Sequence, residues 1–172
     1  MAYSNGGYMR QAVRALIIKD DKTLLMHRNK FGHEYYTLIG GGIQPGETAE
    51  QALVREVFEE TGFTVTNPRL VFMQDVPEPY GPQYVYYCET DGVEPVVTKD
   101  SEEAKINELG QNIHTPMWFP VSDLGSVPFR TPELQQAMIL CIEHGFPARP
   151  VKLDRDYLEK VQTSIRKGTE GR

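Results

Sequence analysis

GGIQPGETAEQALVREVFEETGF, residues 41–63, is the stretch that decides the fold of this 172-residue chain. It opens with glycines and a Pro-Gly turn, and it continues with Thr48, a residue type that caps the start of a helix. Gly62 is the residue type that most often ends one. The stretch therefore predicts a loop, then a helix over about residues 48–61, then an abrupt stop.

Three glutamates of this helix are predicted to lie side by side. At about 100° per residue, Glu56, Glu59 and Glu60 fall within an arc of about 100°. The apolar residues of the helix, such as Leu53 and Val57, form a broad arc that includes Glu60. Crowded carboxylates that face apolar neighbours repel one another and resist desolvation, so a stable fold needs a positive partner between them.

A divalent cation is the partner that this pattern favours. All-oxygen ligation is typical of magnesium or manganese, whereas zinc usually recruits Cys and His, and neither residue type occurs in residues 41–63. An ordinary amphipathic helix with a solvated acidic face is the alternative interpretation.

The order of the fixed residues favours the cation site, because it resembles the Nudix box of the Nudix hydrolase family. That box reads G, five residues, E, seven residues, R-E, an aliphatic residue, any residue, E-E, any residue, G and an apolar residue. This chain matches the fixed positions at Gly41, Glu47, Arg55, Glu56, Glu59, Glu60 and Gly62. Because the match covers only residues 41–63, it indicates the fold and the reaction class more strongly than the substrate.

The resemblance implies an α/β fold, the Nudix α/β/α sandwich, in which a mixed β-sheet lies between helices. The box helix would lie on one side of the sheet. A second helix, which begins after Thr131 with a proline at its first position, would lie on the other. We expect a Nudix hydrolase domain over residues 1–150 and a C-terminal helical extension and tail over residues 151–172.

The resemblance also implies a metal site for Mg²⁺ or Mn²⁺. Glu56 and Glu60 would be the principal ligands together with the backbone carbonyl of Gly40. Glu59 would be a further ligand or a carboxylate that bridges metal ions. The bound ions would neutralise charge on the transferred group, hold the pyrophosphate in line and lower the pKa of an attacking water.

Three residues are predicted to support this site. Gly41 lets the backbone approach a ligand closely. Arg55 lies four residues before Glu59 and can orient its carboxylate. Glu47 precedes the helix and is expected to support the loop or an outer metal ion.

The residue that accepts the proton of the attacking water is left open between Glu59 and Glu103. Members of the family often supply an extra glutamate from a loop just before a strand of the pattern W-x-P/V-x-x-x-L, and MWFPVSDL, residues 117–124, resembles that strand. Residues 91–112 are predicted to form a long mobile loop or a short helix. Within them Glu103 is the first candidate and Glu102 the second.

Three residues outside the box are predicted to contact the substrate. Two β-type runs, residues 12–19 and 23–27, are joined by turn residues and predict a hairpin. Arg14 lies in the first run and Arg28 follows the second, and either could meet a substrate phosphate if its face lines the cleft. Tyr80, in the turn-rich sequence PEPYGP, is a candidate for stacking on a base.

The activity implied by the resemblance is hydrolysis of a pyrophosphate bond in a nucleoside diphosphate linked to another moiety. The chain would then be a Nudix pyrophosphohydrolase acting on a nucleotide sugar, a dinucleoside polyphosphate or a nucleoside triphosphate. A non-catalytic Nudix-fold module that binds or senses a nucleotide is the alternative. Such domains typically lose box carboxylates, and this chain keeps all of them.

Net charge and composition limit the kinds of partner and the cellular location that we expect. The net charge of −6 argues against an extended nucleic-acid partner and hence against an RNA-decapping enzyme, because such proteins need clustered Lys and Arg. A small nucleotide held through a metal is compatible with that charge. The apolar runs are too short to span a bilayer and the N-terminus lacks the apolar core of a signal peptide, so we expect no membrane partner and a cytoplasmic location.

The remaining reactive residue types are expected to be structural. Cys88 and Cys141 show no metal-ligand spacing and are predicted to be buried, reduced thiols. The four histidines likewise share no ligand spacing. The sequence leaves the oligomeric state open.

Overall fold

The computed structural model describes residues 10–77, 80–154 and 156–170. Residues 1–9, Pro79 of the PEPYGP sequence and the last two residues of the predicted tail lie outside this part of the chain. Within it, the elements in chain order are β1 (Ala12–Leu16), β2 (Ile18–Lys19), β3 (Lys22–Lys30), β4 (His33–Leu38), α1 (Ala49–Thr61), β5 (Thr66–Val76), β6 (Gly81–Glu89), α2 (Glu102–Glu108), β7 (Asn112–Pro120), a 3₁₀ helix (Val121–Ser126), α3 (Pro132–His144), β8 (Val151–Lys152) and α4 (Tyr157–Glu170).

The box helix, α1, forms with the predicted ends. The Oγ1 of Thr48 accepts a hydrogen bond from the N–H of Gln51 at 3.1 Å, and the Gln51 side chain accepts one from the N–H of Thr48 at 2.9 Å. Gly62 ends the helix with a φ of 74° and donates its N–H to the carbonyl of Phe58. Glycine adopts this left-handed conformation without steric cost, so local sequence accounts for both ends.

The strands form two sheets. In the first sheet the order is β1, β6, β5 and β8, and the sheet is mixed because β1 is parallel to β6 and β8 is parallel to β5, whereas β5 and β6 are antiparallel. In the second sheet β3 pairs with β2, β4 and β7, all antiparallel. The predicted mixed sheet is therefore present, but a second, antiparallel sheet accompanies it.

The predicted hairpin is wrong for most of its first run. Only Ile18–Lys19 pairs with β3, whereas β1 pairs with β6. On its other edge β1 is bonded to the chain after β4, where Val13 donates its N–H to the carbonyl of Gly41 at 2.9 Å. Val13 and Leu16 are buried on opposite faces of β1, so the backbone of this strand is shielded from water. Its N–H and C=O groups therefore need hydrogen-bond partners at both edges, which a hairpin with β3 alone would not supply.

Alternate residues of the central strands face two hydrophobic layers. On one side, Val13 packs in a cluster with Leu53 and other buried residues of α1. On the other side, Leu16 packs in a cluster with Met138 of α3 and Val161 of α4. The sheets therefore lie between α1 and the α3–α4 pair, which is the α/β/α sandwich that the sequence predicts.

The C-terminal segment belongs to the second of these layers. β8 pairs with β5, and α4 buries Val161 and Ile165 in the same cluster as α3. The helical extension predicted over residues 151–172 thus contains α4, which begins at Tyr157 and contributes one face to the core. The domain boundary predicted after residue 150 falls immediately before these two elements.

The segment predicted as a mobile loop or a short helix contains α2. β7 then begins at Asn112, earlier than the predicted strand over residues 117–124, and the second half of that stretch forms the 3₁₀ helix. Cys88 and Cys141 are free and buried, as predicted. No helix in the described ranges is long and apolar enough to cross a bilayer.

Candidate active site

Three carboxylates from two helices converge at one point. Glu56 and Glu60 lie one turn apart on α1, and Glu103 lies in the first turn of α2. One oxygen of each lies within 4.8 Å of the others, and we call this set the carboxylate trio. The first two residues are predicted as ligands, whereas the sequence left the role of Glu103 open between proton acceptor and solvated loop residue.

Glu60 lies on the core side of α1, as its place in the apolar arc predicts. Its side chain is buried, and its Oε2 accepts a hydrogen bond from the N–H of Gly40 at 2.8 Å. The pKa of Glu60 is raised to about 8, chiefly by burial and also by the nearby carboxylate of Glu56, while the Gly40 N–H and Arg14 oppose this rise. The ionised form therefore lacks compensation from the protein alone.

Glu56 is also buried, and its burial raises its pKa. The Nη1 of Arg55 donates to its Oε1 at 2.7 Å and opposes that rise. Gly41 lies directly against this carboxylate, because a Cβ atom at Gly41 would approach it to 2.6 Å. A side chain at this position would collide with the trio, which explains the glycine here.

Glu103 is half-buried, and its Oε2 is a buried atom with no hydrogen-bond partner in the described part of the chain. Burial raises the pKa of Glu103, the carboxylates of Glu102 and Glu59 add to this rise, and Arg28 opposes it. A buried carboxylate oxygen without a partner costs free energy unless a ligand or a proton satisfies it.

Backbone contacts fix the helix that carries Glu103. The backbone N–H and the Oγ1 of Thr98 both donate to the carbonyl of Glu59, at 2.9 and 3.0 Å, so the loop before α2 is tied to the end of α1. The Oγ of Ser101 then caps α2 by accepting the N–H of Ala104. These contacts hold α2 where Glu103 reaches the other two carboxylates.

The far end of α2 is tied to β7. The side-chain amide of Asn107 accepts the N–H of His114 at 2.6 Å and donates to its carbonyl at 2.9 Å. His114 itself is buried beside Arg28, and burial lowers the pKa of His114 to about 4, so its ring is neutral at pH 7. α2 is thus held at both ends.

Arg55 connects the loop of the box to the helix. Its Nε and Nη2 donate to the two carboxylate oxygens of Glu47 at 2.8 and 2.9 Å, and Nη2 also donates to the carbonyl of Gly42 at 3.0 Å. Its bond to Glu59 is longer, at 3.3 Å. Arg55 accordingly lowers the pKa of Glu47, and its tightest contacts support the loop and Glu56 more than Glu59.

Two predicted metal ligands, Glu59 and the carbonyl of Gly40, are not part of the trio. The Glu59 side chain is 35% exposed and is not one of the three converging carboxylates. The carbonyl of Gly40 accepts a hydrogen bond from the Nη1 of Arg14 at 2.7 Å, which uses one of its two lone pairs. Their assignment as ligands stays a prediction.

The trio has the donor set that a divalent cation requires. Three carboxylate oxygens lie together, burial raises the pKa of each side chain, and Oε2 of Glu103 lacks a partner among the described residues. Magnesium and manganese prefer oxygen ligands, and their charge would offset the repulsion. The residues present therefore fit such an ion.

A cavity of about 180 Å³ opens beside the trio. Arg14, Arg28 and Tyr80, the three predicted substrate contacts, all lie in its wall together with Gly40, Glu60 and Glu103. The cavity wall also contains two arginines and three polar residues that were not predicted from the sequence: Arg10, Arg130, Thr37, Gln83 and His114. No local pattern marks these residues, because they come from separate segments of the chain.

The two predicted arginines are held differently. Arg14 donates from Nη1 to the carbonyl of Gly40 and from Nε to Gln83 at 3.4 Å, and burial lowers its pKa. Arg28 donates from Nη2 to Asn112 at 2.8 Å, while its Nε is buried and lacks a partner within the described ranges. Arg28 therefore keeps a donor for a ligand in the cavity.

Comparison with known proteins is consistent with this geometry. The family model of the NUDIX domain matches residues 9–139. The NAD-capped RNA hydrolase NudC of Pseudomonas entomophila is 34% identical over 113 residues, which are 66% of this chain and 37% of that protein. The chain thus spans little more than a third of the length of this relative.

Solved structures share the fold. A UDP-X diphosphatase superposes with a TM-score of 0.60 at 22% identity and covers 90% of this chain and 70% of its own. An ADP-ribose pyrophosphatase from Streptococcus suis superposes with a TM-score of 0.57 at 22% identity, over 84% of this chain and 97% of its own. At this identity the likeness concerns the fold alone.

Proposed function

This chain belongs to the NUDIX domain family, and from that premise we propose that it is a metal-dependent hydrolase that cleaves a pyrophosphate bond in a nucleoside diphosphate linked to another moiety. One observation carries the proposal: two members of the carboxylate trio, Glu60 and Glu103, lie in the wall of a cavity rich in arginines. The trio requires a cation and the arginines suit an anion, and a metal-bound diphosphate supplies both.

Glu56 and Glu60 would hold Mg²⁺ or Mn²⁺, and Glu103 would lie beside the ion. When bound, the ion neutralises phosphate charge and increases the acidity of water. Glu59 and the Gly40 carbonyl are further candidates, but the bonds that they make to Arg55 and Arg14 favour supporting roles for both.

The chain's own residues bind the substrate and orient it. Arg28 has an unpartnered donor, and Arg14 is fixed by Gly40 and Gln83, so both can contact phosphate oxygens at defined positions. Tyr80 is 42% exposed at the cavity, where the face of its ring that Arg130 does not cover is available to a base. Arg14 and Arg28 line the same cavity as Glu60 and Glu103, so phosphate oxygens held there would lie beside the trio.

Glu103 is the stronger candidate for the residue that accepts a proton. Its Oε2 has no hydrogen-bond partner in the described chain and lies beside the proposed ion, so it can accept a proton there. Glu59, the alternative, lies outside the trio, and its carboxylate accepts a hydrogen bond from Arg55. The carbonyl of Glu59 also anchors Thr98, which gives the residue a structural role through its backbone.

A substrate screen tests the proposal directly. Nucleotide sugars, ADP-ribose, NAD, dinucleoside polyphosphates and nucleoside triphosphates are incubated with Mg²⁺, and released nucleoside monophosphate or phosphate is measured. We expect turnover of at least one class, loss of turnover in EDTA, and loss of most turnover in Glu60→Gln. Glu50→Gln is the matched control, because Glu50 lies exposed on the same helix. Full turnover in EDTA or in Glu60→Gln would refute the metal assignment.

The name of the relative makes NAD-capped RNA a second candidate substrate. The acidic chain disfavours an RNA path, but the cavity arginines would also suit the diphosphate of a cap. Comparison of kcat/KM for NAD and for NAD-capped RNA separates the two. We expect NAD and other small nucleotides to react as well as the capped RNA, with a shallow salt dependence. A strong preference for capped RNA that falls steeply with salt would overturn the prediction of no extended nucleic-acid partner.

A further inference from the structure

The cavity is locally basic although the chain is acidic. Its wall contains four arginines, Arg10, Arg14, Arg28 and Arg130, against two glutamates, Glu60 and Glu103. This is a formal excess of two positive charges in a chain whose net charge is −6. A cation at the trio would offset the glutamates and leave all four guanidinium groups to be balanced by a ligand.

The four arginines fall into two groups. Arg28 lies near Glu103, whose pKa it lowers. Arg14, by contrast, lies near two other arginines, since Arg130 and Arg10 each add to the lowering of its pKa that burial causes. We call Arg10, Arg14 and Arg130 the arginine subsite.

Arg130 is held so that its donors stay available. Its backbone N–H donates to the carbonyl of Tyr36 at 3.0 Å, which fixes the residue against β4. Its guanidinium carbon lies 4.1 Å from the centre of the Tyr80 ring and 5.7 Å from that of Tyr35. Its Nη1 also donates to the hydroxyl of Tyr35 at 3.4 Å. Rings that contact the face of a guanidinium leave its other in-plane N–H groups available, and these form the fork that matches phosphate oxygens.

The start of α3 adds to the same region. Arg130 and Thr131 immediately precede this helix, and the Thr131 side chain makes no capping hydrogen bond. Thr131 and Leu134 lie in the cavity wall. The partial positive charge of the helix start therefore reinforces the arginine subsite, although the arginines carry the argument.

We propose that the arginine subsite binds a phosphate group that the trio-bound cation does not hold, and that it selects substrates with a phosphate monoester in addition to the diphosphate linkage. This inference rests on the proposed function for the diphosphate itself. With the cation set against the two glutamates, the four arginine charges face the two diester charges of that linkage, so a formal excess of two positive charges remains. A monoester carries about 1.5 to 2 negative charges at pH 7 and matches this excess.

Phosphate binding to the metal-free protein tests the subsite without reference to activity. Inorganic phosphate is titrated calorimetrically into wild type, Arg130→Ala, Arg130→Lys and the control Arg149→Ala in EDTA at low ionic strength. Arg130 and Arg149 are both exposed, so neither change should unfold the protein, and thermal melting checks this. We expect Arg130→Ala to weaken binding at least tenfold, Arg130→Lys to weaken it less, and Arg149→Ala to match wild type. Absence of phosphate binding to wild type, or equal affinity of wild type and Arg130→Ala, would overturn the subsite.

A pair of substrates tests the selection. NAD and NADP differ by one phosphate monoester, so the ratio of their KM values isolates its contribution. We expect a KM for NADP at least tenfold lower than for NAD in wild type and in Arg149→Ala, and a ratio near one in Arg130→Ala. Equal KM values in wild type, or a rise by the same factor for both compounds in Arg130→Ala, would refute the selection. If neither compound is hydrolysed, the proposed activity is refuted for both. Displacement of bound NAD and NADP by inorganic phosphate then measures the ratio of their affinities and still tests the subsite.

Discussion

Replacing Glu60 by Gln should stabilise the metal-free protein at alkaline pH. Glu60 is 6% exposed, and its burial raises its pKa to about 8 from an ordinary value of 4.5. Glutamine is neutral at every pH, and its side-chain oxygen can still accept the hydrogen bond from the N–H of Gly40. The change therefore removes the buried charge and leaves the local contact in place.

The pKa values give the size and the sign of this effect. Because the folded-state pKa lies above the unfolded one, the native protein holds a proton between pH 4.5 and pH 8 that the unfolded chain releases. The free energy of unfolding therefore falls as pH rises through this window. At about 1.4 kcal/mol per pKa unit, the wild type should lose up to about 5 kcal/mol that Glu60→Gln retains. The other trio residues occur in both proteins, so the difference isolates Glu60.

Urea denaturation at a series of pH values measures this difference. Wild type, Glu60→Gln and the exposed-site control Glu50→Gln are unfolded in EDTA between about pH 5 and pH 9, a range that brackets the folded-state pKa. We expect the wild type and the control to lose stability in parallel and Glu60→Gln to lose much less. Added Mg²⁺ should then restore stability to the wild type at pH 8, because binding to the native state alone stabilises it.

Two results would refute this reasoning. If wild type and Glu60→Gln lost the same stability with pH, the Glu60 carboxylate would not be desolvated in the folded protein. If Mg²⁺ stabilised both proteins equally, the ion would bind away from the trio.

Glu103→Gln should lower kcat about 10²-fold with little change in KM, whereas Glu102→Gln should match wild type in the same steady-state assay; unchanged kcat with weaker metal binding would make Glu103 a ligand and Glu59 the base. Arg55→Lys should lower the free energy of unfolding by about 2 kcal/mol in urea denaturation, because lysine keeps the charge but cannot bond all four partner residues of the half-buried guanidinium. An unchanged value would show that these bonds are not formed. Val161→Ala should lower the free energy of unfolding by about 2 kcal/mol and Leu158→Ala by much less, because Val161 is fully buried and Leu158 is 40% exposed on the same helix. Equal effects of the two changes would mean that α4 does not pack on α3.

Local sequence was sufficient wherever short-range contacts decide the structure. Thr48 and Gly62 set the ends of α1 through bonds to residues within one turn. The spacing of Glu56 and Glu60 on the helix, together with the apolar arc, was sufficient to predict that both carboxylates face inward. Such features depend on the helical period alone.

Sequence reasoning failed where the partner of a segment lies far along the chain. Residues 12–19 read as one strand of a hairpin, but β1 pairs with β6, more than sixty residues later. The alternation of residues in a strand shows which faces it buries and not which strands lie beside it. For the same reason the position of Arg130 in the cavity could not be predicted, because its neighbours Tyr35 and Tyr80 come from separate segments of the chain.

The sequence by itself determined the family resemblance, the box helix and the inward direction of Glu56 and Glu60, because the helical repeat and the capping residues act within a few positions. Only the tertiary structure decided that Glu103, and not Glu59, completes the carboxylate trio, and that four arginines share the cavity beside it. The position of Glu103 depends on the contacts of Thr98 with α1 and of Asn107 with β7. Those contacts form between residues distant in sequence, and they exist only once the sheets and helices have packed.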